Sequence, residues 1–285
     1  MFDWPVGIST GCFYHISIFD CLDDIKRSGF GVIEVSSSPK HLDYHNKDLV
    51  KRAAEEIERL GIETYSFHAP FVNDIDISSP DKGKRDYSYR EILSAAEAAA
   101  ILRARYFVIH PGPEKNYNLS GDERVQRMSI VSGAMNHVSR RCSELGIGLI
   151  MENMLPHFIF GNTSDMLWII GNLELENAGA CLDTGHALLT GDLYRVMYKL
   201  SCHLLMIHAS DNNGIEDQHL PPGKGKIDWE QLIAKLRISD FNGMIMLEFN
   251  ADFNRSNIEI LEDALKARLF LRDIMARQAL AQPLA

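Results

Sequence analysis

Nine acidic or imidazole residues stand at or soon after the ends of short apolar runs in this chain of 285 residues. They are His68, His110, Glu152, Asp183, His186, His208, Asp217, His219 and Glu248. Carboxylates packed closely repel one another, and their pKa values rise unless a cation compensates. Imidazole and carboxylate ligands together suit Zn, Mn, Fe or Co better than a thiolate-loving metal. A single histidine after a strand is more often structural than a ligand, but nine acidic or imidazole residues in such positions together predict a divalent-metal site.

Eight short apolar segments provide the strands that would position these residues. They are Val6–Ser9, Gly31–Val35, Thr64–Phe67, Tyr106–Ile109, Gly148–Met151, Gly179–Leu182, Leu204–Ile207 and Met244–Leu247. Most are nearly continuous apolar runs without alternation, which is typical of strands buried on both faces of a parallel sheet.

Helical patterns lie between the apolar segments. They cover 47–60, 87–104, 122–145 and 229–236, and a closing helix covers about 254–280. Eight strand–helix repeats predict an α/β fold, a single (β/α)8 TIM barrel with parallel strands and outer helices that forms one domain over 1–285. An open doubly wound sheet is the alternative, although such sheets more often have five to seven strands. Barrel active sites form at the C-terminal ends of the strands, so the nine residues would meet at one mouth.

Composition narrows the class of protein. The chain is 46% hydrophobic and carries a formal net charge of −10, which disfavours non-specific binding to nucleic acid or to an anionic membrane. No apolar run reaches the roughly 20 residues of a membrane helix, and the first five residues do not resemble a signal peptide. The five cysteines form no CxxC pair, which favours reduced thiols and a cytoplasmic location.

Other polar residues near the runs are expected to have supporting roles. Glu34 lies inside the second run and Asp211 follows the seventh, and both are interpreted as structural or supporting carboxylates. The segment 221–226 lacks the spacing of a phosphate loop and predicts a tight turn beside the mouth. Lys224 and Lys226 are interpreted as solvated, with contact to an anionic substrate as the alternative. The remaining histidines are expected to be surface or structural residues: His15, His41, His45, His137, His157 and His203.

Short motifs surround the candidate ligands. They are HAPF at 68–71, HPG at 110–112, MEN at 151–153, LDTGH at 182–186, IH at 207–208, HLPPGKG at 219–225 and LE at 247–248. With these motifs the chain resembles the xylose isomerase-like barrel superfamily from Gly7 to about Leu271. That superfamily contains sugar phosphate isomerases and epimerases, and also endonuclease IV of AP endonuclease family 2.

The isomerase and epimerase branch implies a site with one metal ion. Its four ligands match Glu152, Asp183, His208 and Glu248. Glu152 and Glu248 would also remove and return a carbon-bound proton, and His186 would hold a substrate oxygen. The metal would act as a Lewis acid that stabilises an enediolate.

The endonuclease branch implies a cluster of three zinc ions. Its additional ligands match His68, His110, His186, Asp217 and His219, which in the first branch would bind a second ion or line the substrate pocket. The segment 153–161 is bulky and apolar, unlike the glycine-rich segment of endonuclease IV, and we expect it to cover the mouth and enclose a small ligand. The mouth loops also show no basic and aromatic track for DNA.

These observations favour a divalent-metal-dependent isomerase, epimerase or related lyase of carbohydrate metabolism that acts on a small sugar, keto-sugar or polyol. The cofactor would be Mn, Zn, Mg or Co, as one ion or up to three. An apurinic-site endonuclease with a multinuclear zinc site and a non-catalytic subunit that binds metal or ligand are the alternatives. The partner would be a small carbohydrate-like molecule, with nucleic acid not expected and no membrane. Apolar positions in the closing helix suggest a homo-oligomer, as in many relatives.

Overall fold

Eight parallel strands form the centre of the molecule in a computed structural model that describes residues 4–71, 74–250 and 254–280. The strands are β1 (Val6–Ser9), β2 (Val32–Ser36), β3 (Glu63–His68), β4 (Tyr106–Ile109), β5 (Gly148–Glu152), β6 (Ala178–Asp183), β7 (Leu204–Ala209) and β8 (Met244–Leu247). Each predicted apolar run corresponds to one of them.

The strands close into a barrel in sequence order. The closure is made by β1 and β8, where Val6 pairs with Ile245 and Ile8 pairs with Leu247. All neighbours are parallel, so every strand ends at the same rim of the barrel. The predicted (β/α)8 barrel is therefore confirmed, and the open doubly wound sheet is wrong.

Helices surround the barrel. They are α1 (Leu22–Arg27), α2 (Lys47–Arg59), α3 (Lys82–Ile101), α4 (Gly121–Glu144), α5 (Thr163–Gly171), α6 (Thr184–Leu189), α7 (Leu193–Leu200), α8 (Trp229–Ile238) and α9 (Asn257–Leu280). Helix α3 begins five residues before the predicted start at Tyr87, because the Asp81 carboxylate accepts a hydrogen bond from the Lys84 amide at 2.8 Å and caps the helix. Its charged first turn has no apolar periodicity that could be detected in the sequence.

The closing helix begins later than predicted. It starts at Asn257 rather than near 254, and residues 251–253 and 281–285 lie outside the described part of the chain. In the described residues, no helix combines the length and apolar character needed to cross a membrane.

Apolar side chains fill two regions. A large core lies between the barrel and its helices, and a smaller cluster fills the barrel interior. The interior cluster consists of Tyr65, Val108, Ile150, Cys181, Met206, Met244 and Met246. These side chains make the barrel a packed core instead of a pore, so the polar strand ends above them stand on a solid apolar base.

Candidate active site

The alternation of side chains along each strand directs the strand-end residues into the barrel. Successive residues of a strand point to opposite faces, so residues two apart share a face. Ile150 and Met206 belong to the interior cluster, and Glu152 and His208 therefore project inward directly above them. The same spacing links Val108 to His110, Cys181 to Asp183, and Met246 to Glu248.

The His208 ring lies at the centre of the site between three carboxylates. Its Nδ1 atom is 2.9 Å from Glu152 Oε1 and 3.1 Å from Glu248 Oε2. Potential ligand atoms of Glu152, Asp183, His208 and Glu248 all lie within 4.8 Å of one another. Three oxygen donors and one imidazole nitrogen at this spacing form a cluster able to hold a divalent metal ion.

Glu34 supports the other side of the His208 ring. Its Oε2 atom lies 3.1 Å from His208 Nε2, and its two oxygens accept hydrogen bonds from Ser9 at 3.1 Å and Ser66 at 2.8 Å. All four side chains are buried. A histidine whose second nitrogen is fixed by a carboxylate presents its first nitrogen in a defined orientation, which is the usual arrangement around metal-binding histidines.

A second group surrounds the outer oxygen of Glu152. His68 Nε2 and His110 Nε2 lie 3.0 Å and 3.2 Å from Glu152 Oε2. On their other nitrogens, His68 Nδ1 is 2.9 Å from the carbonyl oxygen of Ala69, and His110 Nδ1 is 3.3 Å from Glu114 Oε1. Glu152 thus faces this group with one oxygen and the central cluster with the other.

A third group lies on the β6–β7 side. Asp183 Oδ1 caps α6 by accepting the His186 amide at 2.6 Å, and His186 Nδ1 is 2.9 Å from the carbonyl oxygen of Asn153. Asp217 Oδ2 lies 3.4 Å from His186 Nε2 and 3.3 Å from His219 Nε2. Through shared contacts, the structure brings all nine of the predicted residues into one connected cluster.

The loop after β7 is held by a buried carboxylate. Asp211 accepts hydrogen bonds from the amides of Gly223 and Ile227 and from the Trp229 indole at 2.9–3.1 Å. A Cβ atom on Gly225 would lie 2.3 Å from Asp211 Oδ1, so only glycine allows this close approach. His219, in the same loop, adopts a φ of 43°, a rare conformation for a side-chain-bearing residue. The predicted supporting role of Asp211 and the predicted turn over 221–226 agree with this geometry.

Burial and charge shape the protonation of the cluster. Burial opposes protonation of His110, but Glu114 and Glu152 outweigh it and raise the pKa of His110 to about 10. Burial also opposes ionisation of Glu248, yet His208 lowers the pKa of that carboxyl to about 2.

Asp183 behaves differently, because burial dominates and raises its pKa. A divalent cation would stabilise all of these carboxylates in the ionised form, so the donor set fits such an ion.

A cavity of about 570 Å³ opens above the cluster. His68, Asp217, His219 and Glu248 form its floor, and its walls are formed by the ends of β1 and β2 and by the loops after β1, β2, β3 and β8. The wall residues are Ser9, Gly11, Tyr14, Ser36, Ser37, Ser38, Pro39, Tyr44, Pro70, Phe71, Phe249 and Asn250. This volume is in the range of pockets for small molecules, about 300–1,000 Å³.

The segment after β5 does not take the predicted position over the mouth. None of residues 154–160 lines this cavity. Met154 and Phe160 are instead buried in the core, and a Cβ atom on Gly112 would lie only 2.5 Å from the Phe160 ring. The apolar character of this segment therefore reflects packing against the HPG turn rather than enclosure of a ligand.

Sequence reasoning missed two contributors to the site. Asn153 clamps the end of β6, since its side chain donates to the Asp183 carbonyl at 3.1 Å and accepts from the Asp183 amide at 2.8 Å. Its position next to Glu152 in the MEN motif was an available signal. Glu114 lies four residues after His110, in a loop, and its carboxylate faces the His110 ring. A glutamate at this spacing in a loop does not by itself indicate a contact with the site.

Comparison with known proteins gives sequence relatives of two kinds. The uncharacterized protein MJ1311 of Methanocaldococcus jannaschii is 27% identical over 281 residues, which cover 96% of this chain and 90% of that protein. A probable endonuclease 4 of Sulfurihydrogenibium sp. is 24% identical over 247 residues, which cover 76% of this chain and 85% of that protein.

Solved structures share the fold. A D-tagatose 3-epimerase-like protein superposes with a TM-score of 0.83 at 24% identity, covering 97% of this chain and 100% of that chain. The IOLI protein, solved with a zinc atom, superposes with a TM-score of 0.81 at 15% identity, covering 96% and 98%. The profile of the xylose isomerase-like TIM barrel matches residues 22–274, and the protein therefore belongs to that family.

Proposed function

We propose that this protein is a divalent-metal-dependent isomerase or epimerase, or a related lyase, that acts on a small sugar, keto-sugar or polyol. The observation that carries the proposal is the position of Glu248, whose carboxylate belongs to the four-donor cluster and also lines the floor of the cavity. A carboxylate placed in this way can take a proton from a small molecule held above it. The D-tagatose 3-epimerase-like protein among the structural neighbours supports the same reaction class.

Glu152, Asp183, His208 and Glu248 would hold the metal ion. When bound, the ion would supply Lewis-acid stabilisation of negative charge on the substrate oxygens. The low pKa of Glu248, about 2, keeps this carboxylate ionised at neutral pH, so it holds no proton of its own before it meets the substrate.

Glu152 is the proposed second proton-transfer group. Its side chain is only 2% exposed, against 19% for Glu248, so the two carboxylates are placed at different depths.

The histidines at the cavity floor would orient the substrate. His68 and His219 line the cavity, whereas His186 lies behind Asp217 and is 93% buried as a side chain. Contact between His186 and a substrate oxygen stays a prediction. In the described structure its ring is placed to hold Asp217 and, through it, His219.

Hydrogen exchange on the substrate tests this function. The protein is loaded with Mn²⁺, Co²⁺ or Zn²⁺, its metal content is measured, and ketoses, inososes and polyols are incubated with it in deuterated water. We expect deuterium at a carbon next to a carbonyl for at least one ketose, with loss of exchange after chelation. Absence of exchange across the whole panel and across the phosphate esters of its ketoses, with the metal bound, would overturn the proposal.

A second candidate is a multinuclear metal-dependent phosphodiesterase of the endonuclease 4 type. The observation that favours it is the pair of additional donor groups, one made by His68 and His110 on Glu152 and the other by Asp217 with His186 and His219. A reaction with one ion does not need both groups. The endonuclease relatives support this candidate as well.

Cleavage of DNA and metal stoichiometry separate the two candidates. Three zinc ions per chain and chelator-sensitive incision of a duplex with an abasic site would favour the phosphodiesterase. One ion per chain, with no incision and with deuterium exchange on a ketose, would favour the isomerase or epimerase.

A further inference from the structure

The wall of the cavity on the β1–β2 side is chemically unlike its floor. It is built from hydroxyl-bearing residues, and we call Ser9, Tyr14, Ser37, Ser38 and Tyr44 the hydroxyl wall. Among the described residues that line the cavity, none is lysine or arginine. The hydroxyl wall is therefore neutral.

Three residues of the hydroxyl wall donate their hydroxyl hydrogens to other groups of the protein. Tyr44 donates its hydroxyl hydrogen to Glu91 Oε2 at 2.7 Å. Ser9 donates to Glu34 Oε1 at 3.1 Å, and Ser38 donates to the carbonyl oxygen of Tyr14 at 3.4 Å. A hydroxyl group has one hydrogen and two lone pairs, so the oxygens of Tyr44 and Ser38 are left to accept hydrogen bonds from a ligand. Ser9 Oγ keeps one lone pair for a ligand, because it also accepts a hydrogen bond from the Gly11 amide.

Backbone amides near the hydroxyl wall are also engaged. The Gly11 amide donates to Ser9 Oγ at 3.2 Å, and the Ser36 amide donates to Thr10 Oγ1 at 3.0 Å. Phosphate groups accept hydrogen bonds and are bound through N–H donors and cationic side chains. The hydroxyl oxygens of Ser9, Ser38 and Tyr44 offer acceptors in place of such donors.

Negative charge lies directly behind the hydroxyl wall. Glu34 stands behind Ser9, and Glu91 stands behind Tyr44. Burial and the Glu91 carboxylate raise the pKa of Tyr44 above its usual value, so its hydroxyl stays protonated and engaged. An anionic group at this wall would meet carboxylate charge within a partly desolvated cavity, where repulsion is stronger than in water.

We infer that the hydroxyl wall binds the uncharged, hydroxyl-bearing end of a free ketose or polyol and rejects a phosphate at that position. Sugar hydroxyls can donate to Ser9, Ser38 and Tyr44, whereas a phosphate dianion cannot. This inference rests on the proposed isomerase or epimerase function and names its substrate class.

Matched ligand pairs test the inference by binding. Isothermal titration of the Mn²⁺-loaded protein is carried out with D-fructose and D-fructose 6-phosphate, D-tagatose and D-tagatose 6-phosphate, and L-ribulose and L-ribulose 5-phosphate. We expect at least one free sugar to bind about tenfold or more tightly than its phosphate ester, which is the effect of one unfavourable charged contact. Equal or tighter binding of the esters, or no binding of any free sugar, would overturn the inference.

Variants assign the preference to the hydroxyl wall. Tyr44→Phe should weaken binding of the free sugar by about threefold to tenfold, because it removes one hydrogen-bond acceptor. Ser38→Arg should improve binding of the ester by about tenfold, because it adds a bidentate cationic donor. Tyr198→Phe is the matched control, since Tyr198 is 76% exposed on α7, and it should leave both affinities unchanged.

Binding and turnover together distinguish this inference from the proposed function. Preference for the free sugar without deuterium exchange would refute the isomerase or epimerase proposal and leave the inference standing. Deuterium exchange on phosphate esters alone would overturn the inference and leave the proposed function standing. Loss of the free-sugar preference in Tyr198→Phe to the same extent as in Tyr44→Phe would also overturn it.

Discussion

The floor and the hydroxyl wall of the cavity differ in how the chain builds them. Floor residues such as Glu248 and His68 stand at strand ends, directly above the apolar interior of the barrel. Hydroxyl-wall residues such as Tyr14 and Tyr44 come from the connections that follow β1 and β2. The floor is charged and rigidly backed, whereas the wall is neutral and includes a tyrosine that is 37% exposed.

This difference separates chemistry from selection of the substrate. The floor holds groups that can transfer protons or bind a metal, and the strand alternation leaves His68 and Glu248 among them little freedom of position. The wall carries hydroxyl groups on loops, where changes of sequence do not disturb the barrel. We therefore expect floor variants to lose the reaction, and wall variants to change affinity.

The largest expected effect is the loss of deuterium exchange in Glu248→Gln, a substitution in the floor of the cavity. The amide keeps the size of the side chain but cannot accept the substrate proton, so deuterium exchange should fall by about 10²–10⁴-fold. Glu152→Gln should reduce exchange comparably. Glu230→Gln, on the exposed face of α8, is the matched control and should retain normal exchange. Near-normal exchange in both Glu248→Gln and Glu152→Gln would remove these two residues from the proposed proton transfer.

The next largest expected effect is on metal affinity, and it differs between two carboxylates that lie behind the cavity. Glu34 fixes His208 from behind, whereas Glu91 contacts Tyr44 and His45 and lies away from the donor cluster. Glu34→Gln should lower the affinity for Mn²⁺ or Zn²⁺ by about 10–100-fold, as loss of a partner behind a metal-binding histidine does elsewhere. Glu91→Gln should leave metal affinity within about twofold, which is below the effect of a hydrogen bond. Competition with a chelating dye measures the metal affinity of both variants. Equal losses of affinity in the two variants would contradict the division between floor and wall.

The floor should also make the metal-free protein sensitive to alkaline pH. Carboxylates outweigh burial and raise the pKa of His110 and His186 to about 10 and that of His219 to about 9. An unfolded histidine titrates near about 6.5, so above this pH the folded state binds more protons than the unfolded state. The free energy of unfolding should therefore fall from about pH 6.5 to about pH 10.

Thermal melts of chelator-treated protein at pH 6.5, 8 and 9.5 check this dependence. Melting temperature should decrease across the series, and His110→Gln should flatten the decrease because it removes one titrating group. Bound metal should oppose the decrease, since ligands lose their protons when they bind it. A melting temperature that stays constant or rises over this range in the metal-free protein would contradict the expectation.

The floor could be predicted from sequence because its signal is local. Each strand is a short apolar run, and the residue after the run continues the inward face of a period-two pattern, as Met206 and His208 illustrate. Glu34 lies inside its run, so its contact with His208 depends on closure of the barrel across 174 positions of sequence. No local pattern reports such a contact.

The wall and the segment after β5 could not be predicted for a related reason. The direction in which Tyr44 donates depends on Glu91, which lies 47 residues later on α3. The apolar segment 154–160 was expected over the mouth, but apolar residues are equally suited to core packing, and Phe160 is 1% exposed beside Gly112. Short helices such as α1 and α6 span six residues each and are too brief to give a periodic signal.

The smallest expected effect concerns the loop that carries Asp217 and His219 to the floor. Trp229→Phe removes the indole donor to Asp211 and should cost about 2 kcal/mol, because a buried carboxylate loses a charged hydrogen bond. Ser120→Ala removes the capping box of α4 and should cost about 1 kcal/mol, and Ser120 does not line the cavity. Both should lower the melting temperature by a few degrees, roughly 2 °C per kcal/mol.

Only Trp229→Phe should also weaken metal or ketose binding, because it alone loosens a floor loop. Equal binding losses in both variants would mean that global stability, and not the position of this loop, controls the floor.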